Sequence, residues 1–355
     1  MILRRVSPGI VVTAAVMVAV AVGAPLVVDQ FQLLQLTVFA SMCILALSLG
    51  VVWGYGGILC FGQSAFFGLG AYTYAVTAVN LGESTLAIVL SIVVPAIFAA
   101  LLGYFMFYGR LSDVYLGVIT LSVTLIFFNL TNSTAGDAYR IGSARLNGFN
   151  GMPSLPTFNV PGNPGRLLDP TETFYLVNAL LLIVYVGLHA LLTSHFGRVV
   201  VAVRENETRC ELLGYDVRRH KLLIFSLGGA IAGLAGSLFA NWGAFVSPNV
   251  FSLTTTSQII IWVIVGGRGT LIGPVIGCIG IQWLSAALGA NQPSGGSDLW
   301  SKIFANAPLI LGVILIAFVL LVPKGLVPTL GDIGLSLLRR RRAREKRGFE
   351  PQQAE

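Results

Sequence analysis

The sequence predicts an all-α, polytopic integral membrane protein with about eight to ten transmembrane helices and glycine-broken helices arranged as an inverted repeat. Three observations carry that expectation. Hydrophobic residues fill 55% of the 355 positions, and charged residues fill 10%, against about 25% in soluble globular proteins. Mean hydropathy is +0.83. Apolar runs of roughly 20 residues, the length that crosses about 30 Å of hydrocarbon, follow one another along most of the chain. The net charge of +7 invites a nucleic-acid reading, but such binding needs a basic face on a soluble body, and this composition leaves no soluble body.

In chain order the candidate spans are 8–28, 33–53, 57–79, 86–108, 115–135, 173–193, 222–246, 249–267, 271–289 and 304–322. Ten crossings place both termini on one side. With cytoplasmic termini, 18 Lys and Arg lie inside and four lie outside: Arg140, Arg145, Arg166 and Lys302. Cytoplasmic excess of Lys and Arg sets orientation, so the charge count supports a multi-pass, ten-span layout with both termini cytoplasmic. Spans 57–79, thick with glycine, and 249–267, strongly apolar only over its last third, are the candidates for a broken or re-entrant course. The first run, after Arg4 and Arg5, also has the pattern of a cleavable signal peptide, and an uncleaved span fits the charges equally well. The chain divides into an N-terminal span (1–32), a transmembrane domain (33–330) with an outer loop at 136–172 and a cytoplasmic segment at 195–221, and a basic cytoplasmic tail (331–355). That tail holds seven Lys and Arg between positions 339 and 347, suited to anionic lipid.

The spans are almost free of ionisable groups. Asp29, Glu83, Asp113 and Lys221 fall at span ends, and His189 is the one titratable residue inside an apolar run. Proton relays and voltage sensors require such groups at depth, so the energy source is expected elsewhere. No phosphate-binding loop, HExxH or GxSxG occurs, and His189, His195 and His220 are not spaced as metal ligands. No catalytic or metal site is expected. Cys43, Cys60, Cys210 and Cys278 form no CxxC and suggest no disulfide.

Three stretches remain informative. Gly54-Tyr-Gly-Gly-Ile-Leu-Cys-Phe-Gly-Gln-Ser-Ala-Phe-Phe-Gly-Leu-Gly70 has the glycine density that lets a helix break and backbones approach, with Gln63 and Ser64 able to bond a small polar solute. Val265-Gly-Gly-Arg-Gly-Thr-Leu-Ile-Gly-Pro-Val-Ile-Gly277 is its expected partner in the second half, since paired interrupted segments point to a midplane site. Between spans, 195–221 carries six Lys and Arg and four acids. There Val199, Val203, Cys210 and Leu213 recur at helical spacing, Asn206 interrupts the stripe, Glu205 and Arg209 form an i,i+4 pair, and Gly214 ends the helix. This is the expected shape of a surface helix that docks a partner.

In this order the stretches resemble the permease subunits of branched-chain amino acid ABC importers, whose close relatives include urea importer permeases. The likeness rests on Gly56 to Tyr72, on Tyr115-Leu-Gly-Val-Ile-Thr-Leu121 with Asn147-Gly-Phe-Asn-Gly-Met-Pro153, and on Gly197 to Phe225. Gly233-Leu-Ala-Gly236, the Gly266-Gly267…Gly269 turn and Phe318…Pro323-Lys-Gly325 complete it. The resemblance implies a place in the bacterial inner (plasma) membrane, with a second homologous permease subunit, two cytoplasmic ATP-binding subunits and a periplasmic substrate-binding protein as partners, in contact with the lipid bilayer and with no nucleic acid. ATP would be bound by the partner subunits, with no cofactor of this chain's own. It places ATPase coupling at Arg198, Arg204, Glu205, Asn206 and Gly214, and the translocation path at Gln63, Ser64, Phe67 and Asn150. Gly-Gly-Arg-Gly-Thr-Leu at 266–271 looks closer to urea permeases and Gly148-Phe-Asn-Gly-Met-Pro153 closer to the branched-chain group. The solute therefore stands between a branched-chain amino acid and urea or a short amide, and a passive neutral-solute channel is the alternative of another class.

Overall fold

A computed structural model describes residues 8–136, 138–160, 163–290, 312, 316, 322 and 325–329. Its long elements are α1 (Pro8–Val27), α2 (Gln30–Leu49), α3 (Gln63–Leu81), α4 (Ser84–Tyr108), α5 (Asp113–Ser133), α6 (Pro170–Thr193), α7 (His195–Glu205), α8 (Glu207–Leu212), α9 (Val217–Gly243), α10 (Leu253–Gly266) and α11 (Gly273–Ala290). Among the described residues, five helices are long and apolar enough to cross a membrane: Gln30–Tyr55, Ser84–Tyr108, Asp113–Ser133, Pro170–Thr193 and Val217–Gly243. Span 304–322, apart from 312, 316 and 322, and the tail 331–355 lie outside the described residues.

The core is built on α3, α4 and α9. Along α9, Gly228, Gly229, Ala232, Gly233 and Gly236 supply small surfaces that let neighbouring backbones approach, as membrane helices require when no hydrophobic effect drives them together. A methyl group on Gly236 would meet the Phe67 carbonyl and the Ala71 amide of α3, and one on Gly233 would meet Pro95 of α4. Below this crossing Phe66 sits edge-on to Phe225, ring centres 5.4 Å apart, and Phe225 edge-on to Phe107 at 5.7 Å. The outward faces of α4, α5 and α6 carry exposed Ile97, Leu101, Ile126 and Ile183, as lipid contact demands.

One end of the bundle is covered by the 134–169 connection, which contains two short hairpins, Arg140–Ile141 with Ala144–Arg145 and Asn159–Val160 with Asn163–Leu167. Asn80, at the end of α3, donates to the Ile141 carbonyl at 2.8 Å and accepts from the Ser143 amide at 2.7 Å. Ser84, opening α4, is bonded to Asn159. The other end carries α7 and α8, joined by the Asn206 cap, whose side chain accepts from the Arg209 amide.

The broken spans differ from a simple helical reading. The span expected at 57–79 is helical only from Gln63, because α2 first widens into a π-helical turn over Gly50–Tyr55 and the chain then runs without helical structure to Gly62. The span expected at 249–267 begins with a 3-10 turn, Pro248–Phe251, and is α-helical only over 14 residues. Both α2 and α10 run toward the α7 end, so the two glycine stretches meet there side by side: Gly50 abuts Pro274, and Gly54 abuts the Gly269 backbone. The connector of opposite sense to 56–62 is 244–252, between α9 and α10.

Replacing Gly236 with Val is expected to destabilise the fold by about 1–3 kcal/mol, the usual cost of overpacking, visible as a lowered thermal midpoint of the detergent-solubilised protein. Gly187→Val, where the space around the added Cβ is open, should leave that midpoint unchanged.

Candidate functional site

α3 starts inside the bundle. The Phe61 amide donates to the Thr120 hydroxyl of α5 at 3.1 Å, and Gln63 donates to Ser48 Oγ at 2.8 Å and to the Gly228 carbonyl of α9 at 3.1 Å. Gly228 lies eleven residues into α9, so at 1.5 Å per residue the start of α3 is roughly 15 Å from the α7 end. α10 starts from the opposite side. Its cap Ser252 accepts from the Thr255 amide, and Thr256, in the first turn, meets Ser64 hydroxyl to hydroxyl at 2.6 Å. Thr256 is ten residues from Gly266, again roughly 15 Å from that end. Two helix beginnings thus meet roughly 15 Å in from the α7 end of the bundle.

This convergence has an electrostatic meaning. Each helix start carries a positive dipole end and amides without intrahelical partners, and no side chain caps α3, whose N-cap is Gly62. The Gln63 carbonyl oxygen Oε1 is buried and finds no donor among the described residues. Discontinuous helices that aim their N-termini at the bilayer midplane provide a site for anionic groups of small solutes. Gln63, Ser64 and Thr256 are at most 5% exposed, so the junction is closed over. Phe67 is also buried there, its ring 5.5 Å from that of Phe239 on α9. Asn150 is apart from these three, exposed in the 3-10 turn Gly148–Asn150 at the covered end. Thr256 escapes sequence reasoning because it lies in a weakly apolar stretch; its signal is the run Ser252-Leu-Thr-Thr-Thr-Ser257, which reads as a capped helix start.

A second constellation links the surface helix to the first interruption. Val199, Val203, Cys210 and Val217 form a small buried cluster that seats α7 and α8. Arg204 projects across it. Its Nη1 donates to the Gly54 carbonyl in the π turn at 2.5 Å, and its Nε donates to Glu205 Oε1 at 3.1 Å. The Arg204 stem lies against Gly57, where φ is +70° and a Cβ would stand 2.6 Å from Arg204 Cγ. On the other side of the turn the Arg268 guanidinium sits 4.7 Å from the Trp53 ring centre, within cation–π range. The widened turn is held between α7 and the Gly267–Gly269 loop.

Two sequence expectations change here. Glu205 pairs with Arg204 rather than with Arg209, because the helix breaks at Asn206 (φ −161°) and Arg209 belongs to α8. Leu213 does not continue the buried stripe; it is 70% exposed beside Leu212 at 84%, and Val217 takes its place in the cluster. Gly214 ends this segment with φ +84°, and Arg198 is exposed, donating to the Thr193 carbonyl at 3.1 Å. Lys221 pairs with Glu207, fastening α8 to the start of α9. Among the described residues no cluster of His, Cys, Asp or Glu suits a metal ion, and all four cysteines are buried thiols.

Residues 32–320 match the family described as the permease component of branched-chain amino acid transport systems. Similar proteins include the high-affinity branched-chain amino acid transport system permease protein LivM of Escherichia coli strain K12, 27% identical over 88% of this chain and 73% of that protein. The probable branched-chain amino acid transport permease protein LivM of Methanocaldococcus jannaschii is 24% identical over 68% of this chain and 76% of its own length. The ribose import permease protein RbsC of Escherichia coli strain K12 is 22% identical over 81% and 84% respectively. No solved structure matches the chain. The relatives are transport permeases and not enzymes, the apolar helices are those of a multi-pass inner-membrane protein, and the chain belongs to the family of branched-chain amino acid transport permease components.

Proposed function

We propose that this chain forms half of the translocation path of an ABC importer for branched-chain amino acids. It pairs with a second homologous permease, receives solute from a periplasmic substrate-binding protein and is driven by two cytoplasmic ATP-binding subunits that supply all nucleotide binding. The α7 end is cytoplasmic in this reading, as are both termini. The observation that carries it is Arg204, a side chain of a surface helix bonded to the peptide carbonyl of a helix unwound inside the bundle.

Movement of α7 by a partner reaches the interior along a short route. Arg204 pulls on Gly54, the widened turn continues into the non-helical chain 56–62, and that chain opens α3 at Gln63 and Ser64. Glu205 holds the guanidinium, Asn206 sets the angle between α7 and α8, Arg198 anchors the start of α7, and Gly214 turns exposed Leu212 and Leu213 outward as the apolar contact for an ATPase. Separating Ser64 from Thr256 would uncover two helix N-termini, which suit the carboxylate of an amino acid, while Phe67 offers an apolar surface for an aliphatic side chain. Asn150 lies on the path at its periplasmic mouth.

The test is uptake of labelled leucine by vesicles containing the complete importer. Uptake should cease when the ATPase partner is inactivated, and uptake that continues would leave a passive channel as the correct reading. Arg204→Ala is expected to lower uptake at least tenfold while ATP hydrolysis by the complex persists, whereas equal uptake by variant and parent would remove Arg204 from the coupling route. Ser64→Ala and Thr256→Ala should each slow uptake several-fold, with the double variant no worse than the poorer single one, because both remove one shared hydrogen bond.

A further inference from the structure

On α3, Ser64, Gly68 and Tyr72 stand four residues apart and so share one face of the helix. Ser64 meets Thr256 of α10 on that face. One and two turns further toward the covered end, the same face meets a single ring, Phe251, which immediately precedes the Ser252 cap of α10. A methyl group on Gly68 would collide with the Phe251 ring. Tyr72 stacks on that ring with centres 5.7 Å apart and planes 21° from parallel, and Phe127 of α5 adds a third ring at 5.6 Å. Phe251 is 1% exposed, so it fills the slot these residues make.

The slot belongs to long helices, but its occupant does not. Gly68, Tyr72 and Phe127 are held by α3 and α5, whereas Phe251 ends a four-residue 3-10 turn in the connector between α9 and α10. By contrast Phe66, Phe225 and Phe107, which pack edge to face in the core, all sit on α-helices. A ring on a short connector can withdraw through a few backbone dihedrals, with no helix unpacked. Its withdrawal leaves an apolar slot of phenyl size, with Gly68 as the floor and the uncharged faces of Tyr72 and Phe127 as walls. The slot adjoins the Ser64–Thr256 junction, roughly 6 Å away along α3. At that junction the polar groups of an amino acid are provided for. Two helix starts suit its carboxylate, and Gln63 Oε1, buried with no donor among the described residues, can accept from its ammonium group. The missing part is a pocket for the side chain.

We infer that the Phe251 slot is the side-chain pocket for the solute, and that Phe251 is a plug that fills it at rest and is displaced by a branched aliphatic or aromatic side chain. The inference rests on the importer reading, to which it adds a pocket beyond the surface of Phe67 and a reason for hydrophobic selectivity. It is read by thiol chemistry, without transport. In right-side-out vesicles bearing the full complex, the thiol introduced by Ser64→Cys should react slowly with an impermeant methanethiosulfonate reagent. Adding Phe251→Ala should speed that reaction about tenfold, the worth of about one aromatic pair. Leucine should then protect the introduced thiol, and glycine, which has no side chain, should not. The native cysteines are buried and report on the fold: if Phe251→Ala exposes them, Phe251→Leu takes its place, with a smaller rise and the same protection expected. An unchanged rate in the folded double variant means that Phe251 is no plug, and overturns the inference. A raised rate with no protection by leucine, or with equal protection by glycine, overturns it as well. Leucine uptake that survives inactivation of the ATPase partner would sink the importer reading alone, and selective protection by leucine would leave the pocket standing.

Discussion

A peptide group inside hydrocarbon must have a hydrogen-bond partner, since each unsatisfied one costs several kcal/mol. Among its described residues this chain interrupts its helices twice, and most of its architecture can be understood as meeting that demand. At the first interruption the amides of Gly56, Gly57 and Ile58 bond back to Val51, Trp53 and Val52 at 3.0, 3.2 and 3.1 Å. The Phe61 amide takes a hydroxyl of α5 and the Gly54 carbonyl takes Arg204 of α7. At the second, Val246 exchanges both backbone bonds with Met152, at 2.7 and 3.2 Å, and the Leu155 amide donates to Ala244. Each break is thus completed by a segment from the bundle's surface, and a break completed from outside is also one that can be disturbed from outside.

The same demand explains the packing between the breaks. α9 approaches α3 and α4 closely enough that backbone atoms occupy the place of side chains at Gly233 and Gly236. Tyr74 of α3 donates to the Pro156 carbonyl at 2.9 Å and accepts from Asn241 of α9 at 3.3 Å, so the two central helices and the covering loop share one polar node. With ionisable groups held to the surface, the interior can rearrange neutral hydrogen bonds such as Ser64 to Thr256 without moving a charge through lipid.

Much of this was legible in the sequence. Long apolar runs announce their helices, and the density of glycine at 54–70 and 265–277 marked two of the places where backbones touch. Gln63 and Ser64 stood out because uncharged polar residues inside such a run are rare, and Arg204 and Gly214 because charge and glycine punctuate a short helix. What periodicity could not reveal is direction and pairing. The counterpart of the first break is the 244–252 connector, whose Phe245, Val246 and Val250 look like ordinary span, and Thr256 matters only because Ser64 faces it across 192 positions. The widened turn at Gly50–Tyr55 has no sequence signature at all, since its residues would serve equally in an α-helix.

That widened turn has a mechanical property of its own. A π-helical turn holds one residue more than the α-helix around it. Returning Gly50–Tyr55 to ordinary α pairing would push one residue out of the helix, advancing the chain beyond it by about 1.5 Å and rotating it by about 100°. Trp53 would leave the Arg268 guanidinium and the Gly54 carbonyl would leave Arg204, while the non-helical segment before Gln63 gained a residue of length. The turn is a reserve of slack, clamped by two arginines at the point where a surface helix meets the membrane interior.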